Sequence, residues 1–220
     1  MIKTAAVALL LVHAPLAAAI TAADFIQQAK KSVASSNEAA QAARLRLATL
    51  LARDHDIHSS VEVEMTRSIP GALPIYIVPL DRLRTFDEHT VALDILTPAN
   101  RVYYLVSYPI DSLPTGHRAT LSSVELMNTP IGWRTAIMGG ASYAESVWKT
   151  LQMVKQDAIL VQIPALALHF VGFTRDGQHL DLSLIAGASD IPIPEREPDR
   201  AETVLLKLVP LAKRHNGLIN

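Results

Sequence analysis

The alternation of apolar segments after Arg101 constrains the fold of this chain more than any other sequence feature. Runs rich in β-branched and aromatic residues predict strands, and they cover 102–110, 133–138, 159–163, 165–174 and 180–185. Apolar residues within 142–156 recur instead at helical spacing, and 117–127 fits either structure. Strands interleaved with helices predict an α/β or α+β fold, a single domain built on a mixed sheet.

Three further strands are predicted before this region, at 61–65, 74–80 and 91–96. Prolines punctuate the part of the chain that holds the last two of these strands. Because proline cannot donate a hydrogen bond to a neighbouring strand, we expect these pieces to be short or to lie at a sheet edge.

Asp176-Gly177 predicts a tight hairpin between the last two strands. A two-residue type I′ loop needs positive φ at both central positions, which Asp-Gly satisfies well. Counting outwards from this turn predicts three cross-strand pairs, namely Phe173 with Leu180, Val171 with Leu182 and His169 with Leu184.

The chain is predicted to open and close with helices. Capping patterns at Thr21 and Ser35 predict two helices, or one interrupted helix, in an N-terminal arm over 20–58, ahead of the α/β domain over 59–220. The apolar stripe of this arm, with Ala40, Ala43 and Leu47, is shallow and suits docking on a partner or on the domain. The closing helix follows an extended linker over 191–198, with Asp199 and Glu202 as its cap.

The first residues have the pattern of a secretory signal peptide. Lys3 precedes the apolar run 5–12, and Ala17-Ala18-Ala19 provides the small residues that signal peptidase accepts. We expect cleavage after Ala19, which makes 1–19 a signal peptide and places the protein in the periplasm or outside the cell. An uncleaved anchor over 4–20 is the alternative.

The composition excludes several classes of function. The chain has no cysteine, which excludes a disulfide framework, thiol nucleophiles, thiol redox chemistry and cysteine metal sites. Its formal net charge of -1 favours neither nucleic acid nor an anionic membrane surface as a partner. After signal cleavage no stable membrane span is expected.

A group of histidines and aspartates follows the second predicted helix. His55 and His58 are residue types that ligate metals, as are Asp54 before them and Asp56 between them. Zinc sites gather three or four ligands at recognised spacings, so the end of a helix and its solvation explain this stretch better.

Two motifs surround the predicted helix at 142–156. Ser146 and Lys149 have the Ser-x-x-Lys spacing of serine acylases, but Ser146 would lie inside the helix and the companion motifs are absent from the sequence. Gly139-Gly140 could cradle an anion at the helix start, although no phosphate-loop lysine follows and a turn is the simpler role.

His169 is a candidate general base in the hairpin. Asp181 and Ser183 would be its partners, but the predicted register places them on the opposite face of the sheet. A core histidine with a satisfied hydrogen bond is therefore the favoured interpretation.

Three sequence segments resemble one protein family. They are Val102-Tyr-Tyr-Leu-Val-Ser-Tyr-Pro109, Gly132-Trp-Arg-Thr-Ala-Ile-Met-Gly-Gly140, and Ile163-Pro-Ala-Leu166 followed by Gly187. Together they resemble the periplasmic pilin-assembly proteins of F-type conjugation systems, which are exported and thioredoxin-like and need not carry a redox cysteine pair. The resemblance implies a thioredoxin-like order after Arg101, a proline, usually cis, before the hairpin, and no catalytic residue.

These observations favour a non-enzymatic periplasmic accessory or assembly protein, with conjugative pilus or secretion-system biogenesis as the implied context. Its expected partner is another envelope protein, bound through the N-terminal arm. We expect no catalytic, cofactor-binding or metal site. A secreted Ser/His/Asp hydrolase and a periplasmic protein that binds a small ligand or a metal stay open as alternatives.

Overall fold

The computed structural model describes residues 20–54, 72–108, 120–187, 191–194 and 197–216. The strands of its sheet are β1 (Leu73–Ile77), β2 (Thr97–Tyr108), β3 (Thr120–Thr129), β4 (Gly132–Met138), β5 (Ile159–Ile163), β6 (Leu168–Phe173), β7 (Asp181–Ala186) and β8 (Asp199–Arg200). The helices are α1 (Ala22–Ser32), α2 (Asn37–Asp54), α3 (Leu80–Arg84), α4 (Ala141–Val154) and α5 (Ala201–Arg214). Single 3₁₀ turns occur at Ala34–Ser36, Ala92–Ile95 and Pro164–Leu166.

One mixed sheet of eight strands organises the fold, in the order β4-β3-β2-β1-β5-β6-β7-β8. Strands β1 to β4 form one antiparallel meander and β5 to β8 form another. The first strands of the two meanders, β1 and β5, pair in parallel. The predicted mixed α/β sheet without cysteine is thus confirmed.

Helices cover both faces of the sheet. On the face that we call the α4 face, Leu160 and Val171 pack with Val147 of α4. On the opposite face, Val161 packs in a cluster with residues of α1 and α5, among them Leu205. Neighbouring residues of β5 therefore belong to different cores, as the alternation of side chains along a strand requires.

The two N-terminal helices pack on the sheet, so a separate arm is not confirmed. Thr21 caps α1 as predicted, because its hydroxyl accepts a hydrogen bond from the Asp24 amide at 3.2 Å. Ile26 on this helix is only 1% exposed and belongs to the core on the opposite face.

The stripe on α2 is covered by the sheet itself. The stripe consists of Ala40, Ala43 and Leu47. These residues pack against β2 and β3 in a cluster that includes Tyr104 and Leu126. The Tyr104 hydroxyl also donates to the Asn37 side chain at 2.9 Å, at the start of α2. This stripe is thus an internal contact and does not present a free surface to a partner.

The hairpin register predicted from Asp176-Gly177 is wrong by one residue. Phe173 pairs with Asp181, and Val171 pairs with Ser183. The connection is therefore the seven-residue loop 174–180 and not a two-residue turn. His169 pairs with Ala186 across an irregularity and does not pair with Leu184.

Contacts from outside the hairpin explain the longer loop. The amides of Ala22 and Ala23, at the start of α1, donate to the carbonyls of Gln178 and Gly177 at 3.2 and 3.0 Å. These are among the helix amides that have no partner within the helix. Gly177 has the positive φ of 79° that the prediction requires, whereas no such angle occurs at Asp176. The loop is held by this contact with α1 and by Asp176, whose carboxylate accepts hydrogen bonds from the amides of Gln178 and His179 at 2.8 and 2.9 Å.

Other local predictions also need correction. The segment 91–96 contains a 3₁₀ turn and no strand, and the predicted strand at 61–65 lies outside the described residues. The proline-containing strand β1 is short, as expected, but it lies in the middle of the sheet. Its pairing with β5 begins at Ile75, so the missing amide of Pro74 leaves no gap in that ladder.

The thioredoxin-like order is not confirmed. Residues 120–129 form strand β3, which joins β2 and β4 in a meander, so most of the segment 117–127 that fitted either structure is a strand and not a helix. The peptide bond before Pro164 is trans.

The closing helix exists, but its predicted cap does not. The helix α5 starts without a side-chain cap, and Asp199 belongs to β8 and pairs with Lys207 at 3.0 Å. Glu202 accepts a hydrogen bond from the Ala92 amide at 3.1 Å, so it ties α5 to the 3₁₀ turn.

The burial of α1 predicts that this helix is needed for folding. Ile26→Ala should lower the free energy of unfolding by about 2 to 5 kcal/mol, because it leaves a cavity in the core. Gln28→Ala, on the exposed side of the same helix, should change it by less than about 0.5 kcal/mol. Urea denaturation measures both values, and equal effects would show that α1 is not part of the core.

Candidate functional site

A row of polar side chains crosses the sheet on the α4 face, beside the first turn of α4. It comprises Glu125 from β3, Arg101 from β2, Gln162 from β5 and His169 from β6. The strand pairings place Gln162 directly opposite His169, and Arg101 opposite Ile75 of β1. The row therefore joins the two meanders across β1.

Arg101 neutralises a buried carboxylate in this row. Its guanidinium lies 2.6 Å from Glu125 Oε1, and Glu125 is only 7% exposed. A second nitrogen of Arg101 donates a longer hydrogen bond, 3.4 Å, to Gln162 Oε1. Because a buried charge without a partner is strongly destabilising, this ion pair satisfies a requirement of the fold.

His169 contacts Tyr143 of α4. The Tyr143 hydroxyl lies 3.2 Å from Nδ1 of His169, and the two rings meet edge to face with centroids 5.3 Å apart. Burial lowers the pKa of His169 below its ordinary value of 6.5, and the nearby Arg101 charge lowers it further. The imidazole is therefore neutral at pH 7. It has the predicted hydrogen-bond partner, but it is half-buried and not fully enclosed in the core.

Two tyrosines next to this row keep their protons. Burial raises the pKa of Tyr103 to about 12, the Ser123 hydroxyl opposes part of the rise, and the Glu125 carboxylate adds to it. Burial also raises the pKa of Tyr143, with smaller contributions from Tyr103 and Glu125. Both phenols thus stay protonated at neutral pH and cannot serve as bases, and among the described residues the buried Tyr103 hydroxyl has no hydrogen-bond partner.

The candidate partners of His169 lie on its own face of the sheet, which corrects the sequence expectation. The one-residue shift in register places Asp181 and Ser183 on the α4 face with Phe173 and Val171. Asp181, however, accepts hydrogen bonds from the side chain of Arg175 at 2.7 and 3.1 Å. The partner of His169 is Tyr143, so this arrangement does not support a Ser/His/Asp hydrolase.

The two motifs near α4 have structural roles. Lys149 pairs with Glu145 at 2.7 Å, one helical turn away, and Ser146 lies inside the helix. Gly139 and Gly140 have φ of 103° and 80° and form the turn between β4 and α4. The amide of Gly139 donates to the Ser123 carbonyl at 2.9 Å, which fixes this turn on β3.

The structure does not test the proposed metal ligands. His55, Asp56 and His58 lie outside the described residues, and α2 ends at Asp54. Within the described ranges no three histidine, aspartate or glutamate residues are grouped so as to hold a metal ion.

A groove of about 370 Å³ opens between α1 and the sheet. Its lining combines aromatic and other apolar side chains with uncharged polar ones; it includes Phe25, Val33, Tyr76, Leu96, Pro98 and Trp133, together with Gln28, Ser32, Asn100 and Asn128. Arg101 also lines the groove, while its guanidinium pairs with Glu125 in the polar row on the α4 face.

A β-bulge shapes the groove. The pairing of β1 with β2 shifts between Ile75 and Tyr76, and Asn100 has a positive φ of 54° at this irregularity. Asparagine is one of the residues that adopt this conformation most readily. Bulges frequently lie next to functional sites, where they redirect side chains.

Two aromatic contacts fix the walls of the groove. Phe25 of α1 packs against Tyr76 of β1 with ring centroids 4.9 Å apart. On β4, the indole nitrogen of Trp133 donates to the Ser35 hydroxyl at 3.0 Å. Both rings are therefore held in place before any ligand binds.

Comparisons of this chain with known protein families, with curated proteins and with solved structures find no match. In the described part of the chain, no helix combines the length and apolarity that crossing a bilayer demands.

The environment of His169 predicts a pH dependence of stability. The folded protein binds this proton less readily than the unfolded chain does, so the free energy of unfolding falls as pH drops below about 6.5. This loss of stability stops once the pH lies below the pKa of His169 in the folded protein. His169→Gln keeps a hydrogen-bonding group for Tyr143 but cannot be protonated. On acidification, this variant should therefore lose less stability than wild type.

Urea denaturation between about pH 5 and pH 7.5 measures this difference. The control is His89→Gln, which removes an imidazole that is 85% exposed and lies outside the polar row, so it should alter the pH dependence less than His169→Gln does. If His169→Gln and wild type lose the same stability on acidification, His169 is not held neutral by the fold.

Proposed function

We propose that this protein is a non-enzymatic accessory or assembly protein of the bacterial cell envelope, and that its groove binds an extended segment of a partner polypeptide. The observation that carries the proposal is the lining of the groove, which combines aromatic residues with residues that carry side-chain amides.

The chemistry of the lining fits a peptide. The side chains of Gln28, Asn100 and Asn128 each offer both a donor and an acceptor, as a peptide group does. The rings of Phe25 and Trp133 offer apolar surfaces for the side chains of the bound segment. An extended chain that presents peptide groups and side chains alternately can use both kinds of contact.

The charge of the groove indicates a partner segment without net charge. Arg101 is the charged residue of the lining, and its partner Glu125 lies 2.6 Å away. A highly acidic or basic segment would find no uncompensated charge here. Uncharged, partly apolar segments are the class of ligand that the groove suits.

The context of this function is also a proposal. The signal-peptide pattern over 1–19 supports export to the periplasm or out of the cell. The resemblance to thioredoxin-like pilin-assembly proteins supports a role in conjugative pilus or secretion-system biogenesis. The N-terminal helices would contribute to partner binding through Phe25, Gln28 and Ser32, which lie on the wall of the groove and not on the buried stripe of α2.

A pair of tryptophan substitutions on α1 tests the groove. Ser32 is exposed and lines the groove, whereas the adjacent Lys31 is exposed and does not belong to the lining. Ser32→Trp should fill the groove and lower affinity for peptides selected on wild type from a random displayed library by at least about tenfold. Lys31→Trp adds the same side chain outside the groove and should keep wild-type affinity.

Fluorescence anisotropy with the selected peptides measures these affinities, and circular dichroism confirms that both variants are folded. Equal binding by Ser32→Trp and wild type would refute the groove as the peptide site. A library that yields no peptide dependent on the groove would refute the proposed peptide ligand.

A further inference from the structure

A second, smaller pocket of about 210 Å³ lies on the α4 face, at the far end of α4 from the polar row. Thr150, Met153 and Val154 of α4 form one side of it, and Phe173 and Ser183 of the β6–β7 pair form the other. Arg175, Gln156 and Pro198 complete the lining. The pocket is separate from the groove, with which it shares no lining residue.

Ser183 brings an unsatisfied polar group to this pocket. The residue is 1% exposed, and among the described residues its hydroxyl has no hydrogen-bond partner. The neighbouring Thr150 hydroxyl donates to the Ser146 carbonyl at 3.1 Å, within its own helix. A buried hydroxyl without a partner is destabilising, and a ligand that supplies the missing hydrogen bond recovers part of this cost.

The electrostatics of the pocket favour an uncharged ligand. Arg175 is the charged residue of the lining, and its guanidinium lies 2.7 Å from the buried carboxylate of Asp181. This pairing leaves the positive charge compensated. A carboxylate ligand would meet the Asp181 charge, and an ammonium ligand would meet the guanidinium.

The size and apolar walls define the rest of the ligand. A cavity of roughly 150 Å³ lined by apolar side chains is known to bind benzene, so about 210 Å³ accommodates one small ring with a polar substituent. Phe173, Val154 and Met153 provide the apolar contacts for such a ring.

From these observations we infer that the pocket binds a small neutral molecule with an apolar ring or branched chain and one hydroxyl or carbonyl group, which forms a hydrogen bond with Ser183. This site is independent of the proposed peptide groove, because the two linings have no residue in common.

Phenol and toluene are the probes for this site, since they have nearly the same shape and differ in the hydroxyl. NMR titration of ¹⁵N-labelled protein should show saturable shifts of the pocket amides, with phenol bound about fivefold more tightly than toluene, as one hydrogen bond of about 1 kcal/mol implies. Ser183→Ala should remove this preference and still fold, because it deletes an unsatisfied group.

Ser146→Ala is the matched control: it removes a serine hydroxyl from α4 outside the lining and should keep the preference for phenol. Two results would overturn the inference. One is the absence of saturable shifts at the pocket with either probe. The other is an equal preference for phenol in wild type and Ser183→Ala.

Discussion

The parallel pairing of β1 with β5 is the interaction on which the rest of the structure depends. It joins two antiparallel meanders into one sheet, and its central residues Ile75, Leu160 and Val161 are at most 1% exposed. The pairing continues beyond β1, where the Val78 amide donates to the Gln162 carbonyl at 2.8 Å. On the α4 face, Arg101 reaches over β1 to the Gln162 side chain, so the polar row reinforces the same junction. Without the β1–β5 pairing, the groove and the polar row would lose part of the sheet that holds their residues in position.

Local sequence signals predicted the elements whose structure is decided locally. The Thr21 cap and the helical spacing over 142–156 correspond to the observed start of α1 and to α4, because caps and apolar periodicity act within a few residues. The turn at Asp176-Gly177 failed because the loop accepts hydrogen bonds from Ala22 and Ala23, more than 150 residues away in sequence. The Asp176 carboxylate also accepts hydrogen bonds from the amides of Gln178 and His179, a local contact that the two-residue turn did not include.

The candidate sites depend even more on long-range contacts. The groove gathers residues from α1, β1, β2, β3 and β4, none of which forms a motif with its sequence neighbours. Asn100 gave the only local hint, since asparagine tolerates positive φ, but many asparagines occur without it. The sequence predicted a core histidine with a hydrogen-bond partner at 169; the residue is half-buried, and its contact with Tyr143 required the packing of α4 on β6. Ser183 was placed on the wrong face by the shifted register.

Hydrogen exchange at the junction of the two meanders tests the account most directly, because the single continuous sheet is its central claim. The amide of Val78 reports on this junction, since it donates across it to Gln162. The account predicts that the amides of Val78 and β5 exchange only through global unfolding, with the free energy that denaturant unfolding gives. If Val78 and the residues of β1 exchange through a lower-energy opening while β5 to β7 stay protected, the two meanders are separate units and the account is wrong.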